Sequence, residues 1–531
     1  MMKMLRDNNQ LQLSLSPYEK LYEIIIPKDH ILRRIKENID FSFVNPMLKK
    51  QYCEHFGRPA KEPEMMFKLL FLKKLYDLSD ERLVSAAQTD MAYKYFLDLN
   101  PEDNMIDSSL LTKFRKTRIT EDILEEMLKE TISQAISKGL IKTGTIIVDS
   151  THTTANARPK TVTQVLRDLS KQLRKEIYKN AFELSEKFPE KPSFEASLSE
   201  EIEYTQELLK CLKDNISECD SSIVQIYNRI KELLETEKIR EIRSKNDEDA
   251  KFGHKTVNST FYGYKNHLAM TEERIITAVK VTDGAQPDGN QLTELIDKTI
   301  SNGVEVDEVI GDMAYVSDDN LLNCEERNVT LYAKTNAAVS ASAKSELEPG
   351  FWFNKDAGLL QCPAGELATR AEKRKSGNGN TYLNYCFSKV KCRKCPFEEK
   401  CRVGKAKGKT YSITQVSEKN KNRLDFEETE VFNNKLKIRH RIEEKNGEMK
   451  TAHGLSRADS TGLVAMRLQA YLTAFTVNVK RIVALSNPVT VKYPLLFVFI
   501  LKNIKSKDVF LPNIYTKKPQ LFKKTVVFQC P

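Results

Sequence analysis

Tryptophan is nearly absent from this chain of 531 residues, Trp352 being the only one. No apolar run approaches the ~20 residues that a membrane-crossing helix needs. The longest clean run, Leu495 to Leu501, is far too short. The opening Met1-Met-Lys-Met-Leu-Arg-Asp lacks the apolar stretch of a secretory signal. These absences argue against a membrane or exported protein. Cysteine is also sparse, ten in all, with five crowded between Cys362 and Cys401. That density excludes a disulfide scaffold and predicts a reducing cytoplasm, with metal as the alternative use for the crowd.

What is present describes a folded, soluble chain. Hydrophobic residues make up 40% and charged residues 30%, and apolar positions recur periodically almost throughout. At this length one hydrophobic core does not suffice, so two to four folded units are expected. Lysine and arginine number 84 against 74 acids, a net +10 that suits a polyanionic partner.

Residues 18 to 118 read as helical. Tyr18 to Lys36 carries a regular apolar pattern broken by Pro27, and another runs from Met65 to Leu75 after Gly57-Arg58-Pro59. Ser79 is placed to cap a helix over 80–89, and Leu110 to Arg118 brings four basic residues. Thr120 can cap a long amphipathic helix that stops at Gly139. The unit over 1–140 is then either a DNA-reading head or a plain helical lid.

At Thr145-Ile-Ile-Val-Asp149 the texture becomes that of a buried strand ending in an acid. Strand patterns return over 261–269 and 274–281 as a hairpin. A helix over 290–300 and a second acid-terminated strand, Glu308-Val-Ile-Gly-Asp312, follow, then a short helix and a strand over 329–333. The sum is a mixed α/β sheet over 141–336. It is interrupted at 155–258 and followed by a Cys-rich insertion at 337–425, helices over 426–486 and a basic tail at 487–531. In the first interruption Ile202, Leu209, Ile216, Ile223 and Ile230 recur every seven residues after an upstream stripe from Val162 to Ile177. That pattern predicts an antiparallel coiled-coil hairpin, a spacer or dimer contact.

Carboxylates carry the chemistry. Asp149 and Asp312 each close an apolar strand, where an α/β sheet presents its ligand crevice. Two ionised acids that close together need a divalent cation. A third acid lies in Arg439-His-Arg-Ile-Glu443-Glu-Lys-Asn-Gly447-Glu-Met-Lys450. At 100° per residue Arg439, Glu443 and Lys450 share one helix face, so an acid stands between two cations. Gly447 removes bulk near that face.

The set Val148-Asp149-Ser-Thr-His, Gly311-Asp312-Met-Ala-Tyr315 and Arg439-x3-Glu443-x6-Lys450 resembles the DDE transposases of bacterial insertion sequences, in the group with a Tyr-Arg-Glu-Lys signature. Gly263-Tyr-Lys265-x-His267 and Gly454-Leu-Ser-Arg457 match the surrounding pattern, and the helical head is similar to that family's N-terminal domain. The resemblance covers about residues 18 to 485. It implies a ribonuclease-H-like core in which Asp149, Asp312 and Glu443 are catalytic and bind two Mg²⁺ ions, Mn²⁺ substituting. It implies DNA contacts at Arg439, Lys450, Arg457, Lys265 and His267. It further implies cleavage of insertion-sequence ends and strand transfer into target DNA, by a homodimer on double-stranded DNA in the bacterial cytoplasm at the nucleoid. The signature tyrosine is replaced by Leu436, and Glu444 is a fallback third acid. That departure keeps two other readings open, an inactive transposase-derived DNA-binding protein and a ribonuclease-H-like nuclease without strand transfer.

Cys392-x-x-Cys395 has knuckle spacing, and Cys362 and Cys401 can complete a tetrahedral thiolate site, a structural zinc ribbon. Cys386 is a fifth candidate, and simply reduced thiols remain the alternative. Trp352 reads as a strand aromatic packed beneath the ribbon, or as a stacking platform for an unpaired base.

Overall fold

The computed structural model describes residues 16–53, 60–236, 238–256, 259–335, 348–354, 358–375, 381–401, 408–414 and 418–486. Arg58-Pro59, the apolar run from Leu495 and the 487–531 tail lie outside them.

A six-stranded mixed sheet forms the centre. It comprises β1 (Thr145–Thr154), β2 (Lys251–Thr256), β3 (Ser259–Thr271), β4 (Ile276–Asp283), β5 (Glu308–Ile310) and β6 (Thr330–Tyr332). The order is β2-β3-β1-β5-β6, with β4 also paired to β3. β3 runs antiparallel to β1, β2 and β4, whereas β5 is parallel to β1 and β6. The β-branched run Ile146-Ile147-Val148 is fully buried and drives β1 into the centre. Both interior strands, the hairpin and the helix Leu292–Ser301 fall where the apolar pattern predicts. Two expectations are corrected. β2 belongs to the sheet, so the first interruption ends before residue 251. Asp149 is not a strand end, because β1 continues five residues past it to Thr154.

Opposite faces of the sheet bury against different partners. Ile146, Val148, Ala269 and Ala278 pack with Leu292, Leu295 and Ile296 of the helix Leu292–Ser301. Ile147, Leu268, Met270 and Val279 share a single core with the N-terminal helices and the C-terminal helix Leu463–Ser486. Phe475 of that last helix meets Phe67 at a ring-centroid distance of 5.1 Å and Phe41 and Phe71 at 6.0 Å. The N-terminal helices are therefore not a detached head: they close over a helix from the other end of the chain. Their caps follow the sequence, with Ser79 Oγ accepting from Arg82 N–H and Thr120 Oγ1 from Ile123 N–H. Among the described residues no helix is long and apolar enough to cross a membrane.

The expected coiled-coil hairpin is instead three helices, Val162–Asn180, Leu198–Leu212 and Ser221–Glu235. The seven-residue spacing runs on through 213–220, where the chain turns, so one predicted helix is two. Both pack on the first helix around Leu166, Leu169, Leu173, Leu208, Ile223 and Ile230. Capping boxes at Thr161–Gln164 and Ser197–Glu200 start the first two. Lys160 N–H donates to the Arg243 carbonyl at 2.7 Å, which closes the insertion at its base.

Replacing residues 161–242 by a short Gly-Ser linker should therefore leave a cooperatively folding protein with its sheet intact. Circular dichroism and thermal melting check this; loss of the folded state would show that the three helices support the sheet. In the full chain Leu169→Ala should cost about 2–5 kcal/mol locally, read by hydrogen exchange within the insertion.

Candidate active site

The first two acids lie where β1 loses a neighbour, within electrostatic reach of each other. β1 pairs with β5 only from Thr145 to Ile147, opposite Glu308 to Ile310. Beyond Ile310 the chain leaves the sheet through Gly311, where a Cβ would lie 2.9 Å from the Tyr315 ring. Asp312 then caps the short turn Met313–Tyr315, its Oδ1 accepting from Ala314 N–H at 2.9 Å. Asp149, two residues past the last β5 pair, lines the resulting notch.

The third acid arrives on the helix His440–Ala452, which packs on β1. Glu443 stands in its first turn, and Arg439 in the 3-10 turn just before it. Arg439 donates to Glu443 Oε1 at 2.7 Å, so acid and cation satisfy each other. One turn on, Asn446 donates from Nδ2 to Asp149 Oδ2 at 2.9 Å. A Cβ on Gly447 would meet nothing within 4 Å, which leaves the surface beside Glu443 open.

The acids influence one another. Burial pushes the Asp149 carboxyl up to about 6; the Ser150 amide opposes the shift, while the charges of Asp312 and Glu443 reinforce it against Arg439. Asp312 is also raised, first by burial, with Asp288 adding to it and the Ala314 amide and Arg439 working against it. Among the described residues no group of three His, Cys, Asp or Glu is already arranged to hold a metal ion. The donors are neighbours in charge, but not a closed cage.

The other expected residues divide. Lys265 donates to Asp288 Oδ1 and to the Gln286 carbonyl, both at 2.9 Å, and Ser150 Oγ donates to Asp288 Oδ2 at 2.8 Å. His267 is fully buried, with Nε2 2.9 Å from Thr282 Oγ1 and its pKa lowered to about 4, chiefly by burial. The expected DNA contact at His267 is thus corrected: a buried neutral imidazole cannot reach a phosphate. Arg457 is exposed beside the far end of β1, where Thr154 pairs with it, and donates to Asn156 Oδ1 at 3.2 Å. Five residues of strand put it roughly 17 Å from Asp149. Lys450 lies partly buried on the acid-bearing helix, seven residues past Glu443. Leu436 packs against the main core.

In the second insertion, Cys362, Cys392, Cys395 and Cys401 line one cavity of about 340 Å³, and Cys386 is not among its lining residues. Burial pushes the Cys401 thiol up, and the other three add to the shift while Lys409 opposes it. Trp352 is 57% exposed, which corrects the expectation that it packs beneath the ribbon.

Three family models match parts of this chain. A Transposase domain (DUF772) model matches residues 20–117, and two Transposase DDE domain models match 210–349 and 361–483. The matches support a DDE transposase. The second and third ranges contain Asp312 and Glu443; Asp149 falls outside all three. No relative is found among the curated proteins. Transposase domains of this kind imply DNA as the partner and phosphodiester chemistry as the activity.

Two further residues of this site, Asn446 and Asp288, are not singled out by the sequence pattern. Asn446 carries a signal, since three residues past Glu443 puts it about 60° away on the same helix. Asp288, in an irregular loop, carries none.

An acid with a folded-state pKa above its unfolded one contributes most below the unfolded value, and the contribution is lost as pH rises through the folded one. From the usual 3.8 to about 6, ionised Asp149 then costs the fold on the order of 3 kcal/mol at most. Without divalent cations, Asp149→Asn should melt above the wild type at pH 8, with the gap narrowing at pH 5. An equal gap at both pH values would contradict the raised carboxyl.

Proposed function

We propose that this chain is a DNA transposase in which Asp149, Asp312 and Glu443 catalyse cleavage at insertion-sequence ends and transfer of the 3′-hydroxyl into target DNA. The observation that carries the reading is the convergence of charge: Asp149 is raised by both of the other acids, although the three are scattered along the chain. The sheet supports a ribonuclease-H-like core, since β4-β3-β1 are antiparallel and β5 and β6 continue in parallel beyond β1.

The donor set fits a hard divalent cation. It is all oxygen, two of its acids resist ionising unaided, and the buried Asn446 Oδ1 has no hydrogen-bond partner. Asp149, Asp312 and Glu443 would hold Mg²⁺, or Mn²⁺ in its place. A bound cation pair supplies Lewis acidity toward the phosphodiester and lowers the pKa of an attacking oxygen.

The protein's own groups then have distinct tasks. Asn446 orients the Asp149 carboxylate. Arg439 is a bidentate phosphate ligand held in reserve by Glu443. A DNA phosphate that takes the guanidinium frees Glu443 to turn toward Asp149 and Asp312, so the substrate completes the site. Lys450 and Arg457 extend the cationic surface along the bound duplex, whereas Lys265 is spent on Asp288 and opposes the rise of the Asp312 carboxyl. Two ends must be held together for joining, which calls for two copies on DNA.

The test uses a plasmid carrying the DNA that flanks the gene. Mg²⁺-dependent nicks at terminal repeats and joined products are expected, falling by about a hundred-fold or more in Asp149→Asn, Asp312→Asn and Glu443→Gln, the scale of losing one charge-stabilising group. Nicks without joining would identify a nuclease, and DNA binding without either would identify an inactive derivative. Arg439→Gln should weaken binding to any duplex and reduce the salt slope by about one phosphate contact, measured by fluorescence titration across salt concentrations.

A further inference from the structure

The Cys-rich insertion is built differently from the rest of the protein. It consists of a hairpin, β7 (Trp352–Asn354) and β8 (Leu359–Gln361), and a three-stranded sheet, β9 (Arg370–Lys375), β10 (Thr381–Cys386) and β11 (Thr410–Thr414). Among the described residues its core has three buried members, Leu360, Tyr385 and Phe387. Fourteen do that work in the three-helix insertion. The described part of this unit buries little apolar surface, and small units of that kind are commonly held together by disulfides or a metal. The cysteines here are free.

Next to that small core lies the 340 Å³ cavity; three of its thiols come from two tight turns, and the fourth, Cys401, ends the short helix Glu398–Cys401. Cys362-Pro-Ala-Gly365 closes with Gly365 N–H on the Cys362 carbonyl at 2.9 Å, Gly365 taking φ +78°. Cys392 and Cys395 flank the end of the short helix Lys389–Arg393, and the Phe397 amide donates to Cys395 Sγ at 3.4 Å. An amide directed at sulfur stabilises a thiolate, the form a metal binds. Lys391, Lys394 and Lys409 line the same cavity with Glu366 and Glu398; Lys391 is paired with Glu366 and Lys409 with Glu348. Cys386 closes β10 next to Tyr385, and successive strand residues point to opposite faces, so it faces away from the core that Tyr385 enters.

We infer that Cys362, Cys392, Cys395 and Cys401 form a structural zinc site, distinct from the carboxylate site, that locks this insertion into one conformation. Among the described residues these sulfurs are not yet grouped to hold an ion; zinc would draw them inward to ~2.3 Å, converting four thiols to thiolates and releasing their protons to solvent. With all positions filled by sulfur, the ion has no open coordination site and stabilises without reacting.

The experiment is metal analysis of the full-length protein, purified without chelator and reconstituted with zinc alone. About one zinc per chain is expected, retained in Cys386→Ser and lost in Cys392→Ser and Cys395→Ser. In the wild type the four thiols should resist a thiol reagent until a chelator is added, a measurement that needs no variant to fold. Cobalt(II) in place of zinc should give thiolate charge-transfer absorption, weakened by Cys362→Ser or Cys401→Ser. A reconstituted protein without zinc, zinc lost equally in Cys386→Ser, or four fully reactive thiols would each overturn the assignment. None of these readouts depends on DNA chemistry.

Discussion

The site depends on a mismatch in strand length. β1 runs ten residues, while its parallel neighbour β5 runs three and pairs only up to Ile147. Past that point β1 keeps its hydrogen bonds to β3 but has no strand on its other side, and only at its far end does Thr154 bridge to Arg457. A parallel sheet edge opened mid-strand is a crevice, and the chain that leaves β5 through Gly311 must turn across it. Asp149 and Asp312 come within electrostatic reach because one strand continues and the other stops.

Bringing the third acid to that notch is the task of the helix His440–Ala452, and buried charge fixes its position. Glu448 accepts from Lys445 at 2.8 Å and from Lys480, on the long C-terminal helix, at 2.6 Å. Burial alone would raise the Glu448 carboxyl, but His453 and these two lysines hold it well below the usual range. His453 in turn sits 2.8 Å from the Lys74 carbonyl, so the N-terminal helices join the same network. A buried ion network adds little net stability compared with apolar packing, but breaking one member is costly, so it specifies one arrangement. Helix orientation here is thus set by residues from three distant parts of the chain.

Much of this was readable from residues alone, for identifiable reasons. The interior strands announce themselves because both faces are buried, which forces runs such as Ile146-Ile-Val. β2 does not, because it is an edge strand whose Gly253 lies against the Gly284 carbonyl, where a Cβ would come within 2.2 Å, and whose polar residues show no alternation. The three-helix insertion misled the pattern because seven-residue spacing persists through a turn, and periodicity is blind to a break that preserves it. At the site, acids at the ends of apolar runs were visible, and so was the stripe around Glu443. The depth of His267 was not, because a histidine facing solvent and one facing a threonine look alike in one dimension.

The pairing of Arg439 with Glu443 gives this arrangement its logic. With no ligand, a carboxylate near two others is better placed on a guanidinium than in the notch, since a third negative charge there would raise Asp149 further. The same guanidinium is the strongest phosphate ligand on that face. As proposed, one residue would either restrain the third acid or bind the backbone of DNA, and could not do both with the same fork of donors. On the proposed reading the acids come together only when a phosphate takes the arginine, which would protect the site from binding cations idly and make its dependence on substrate follow from the geometry of a single helical turn.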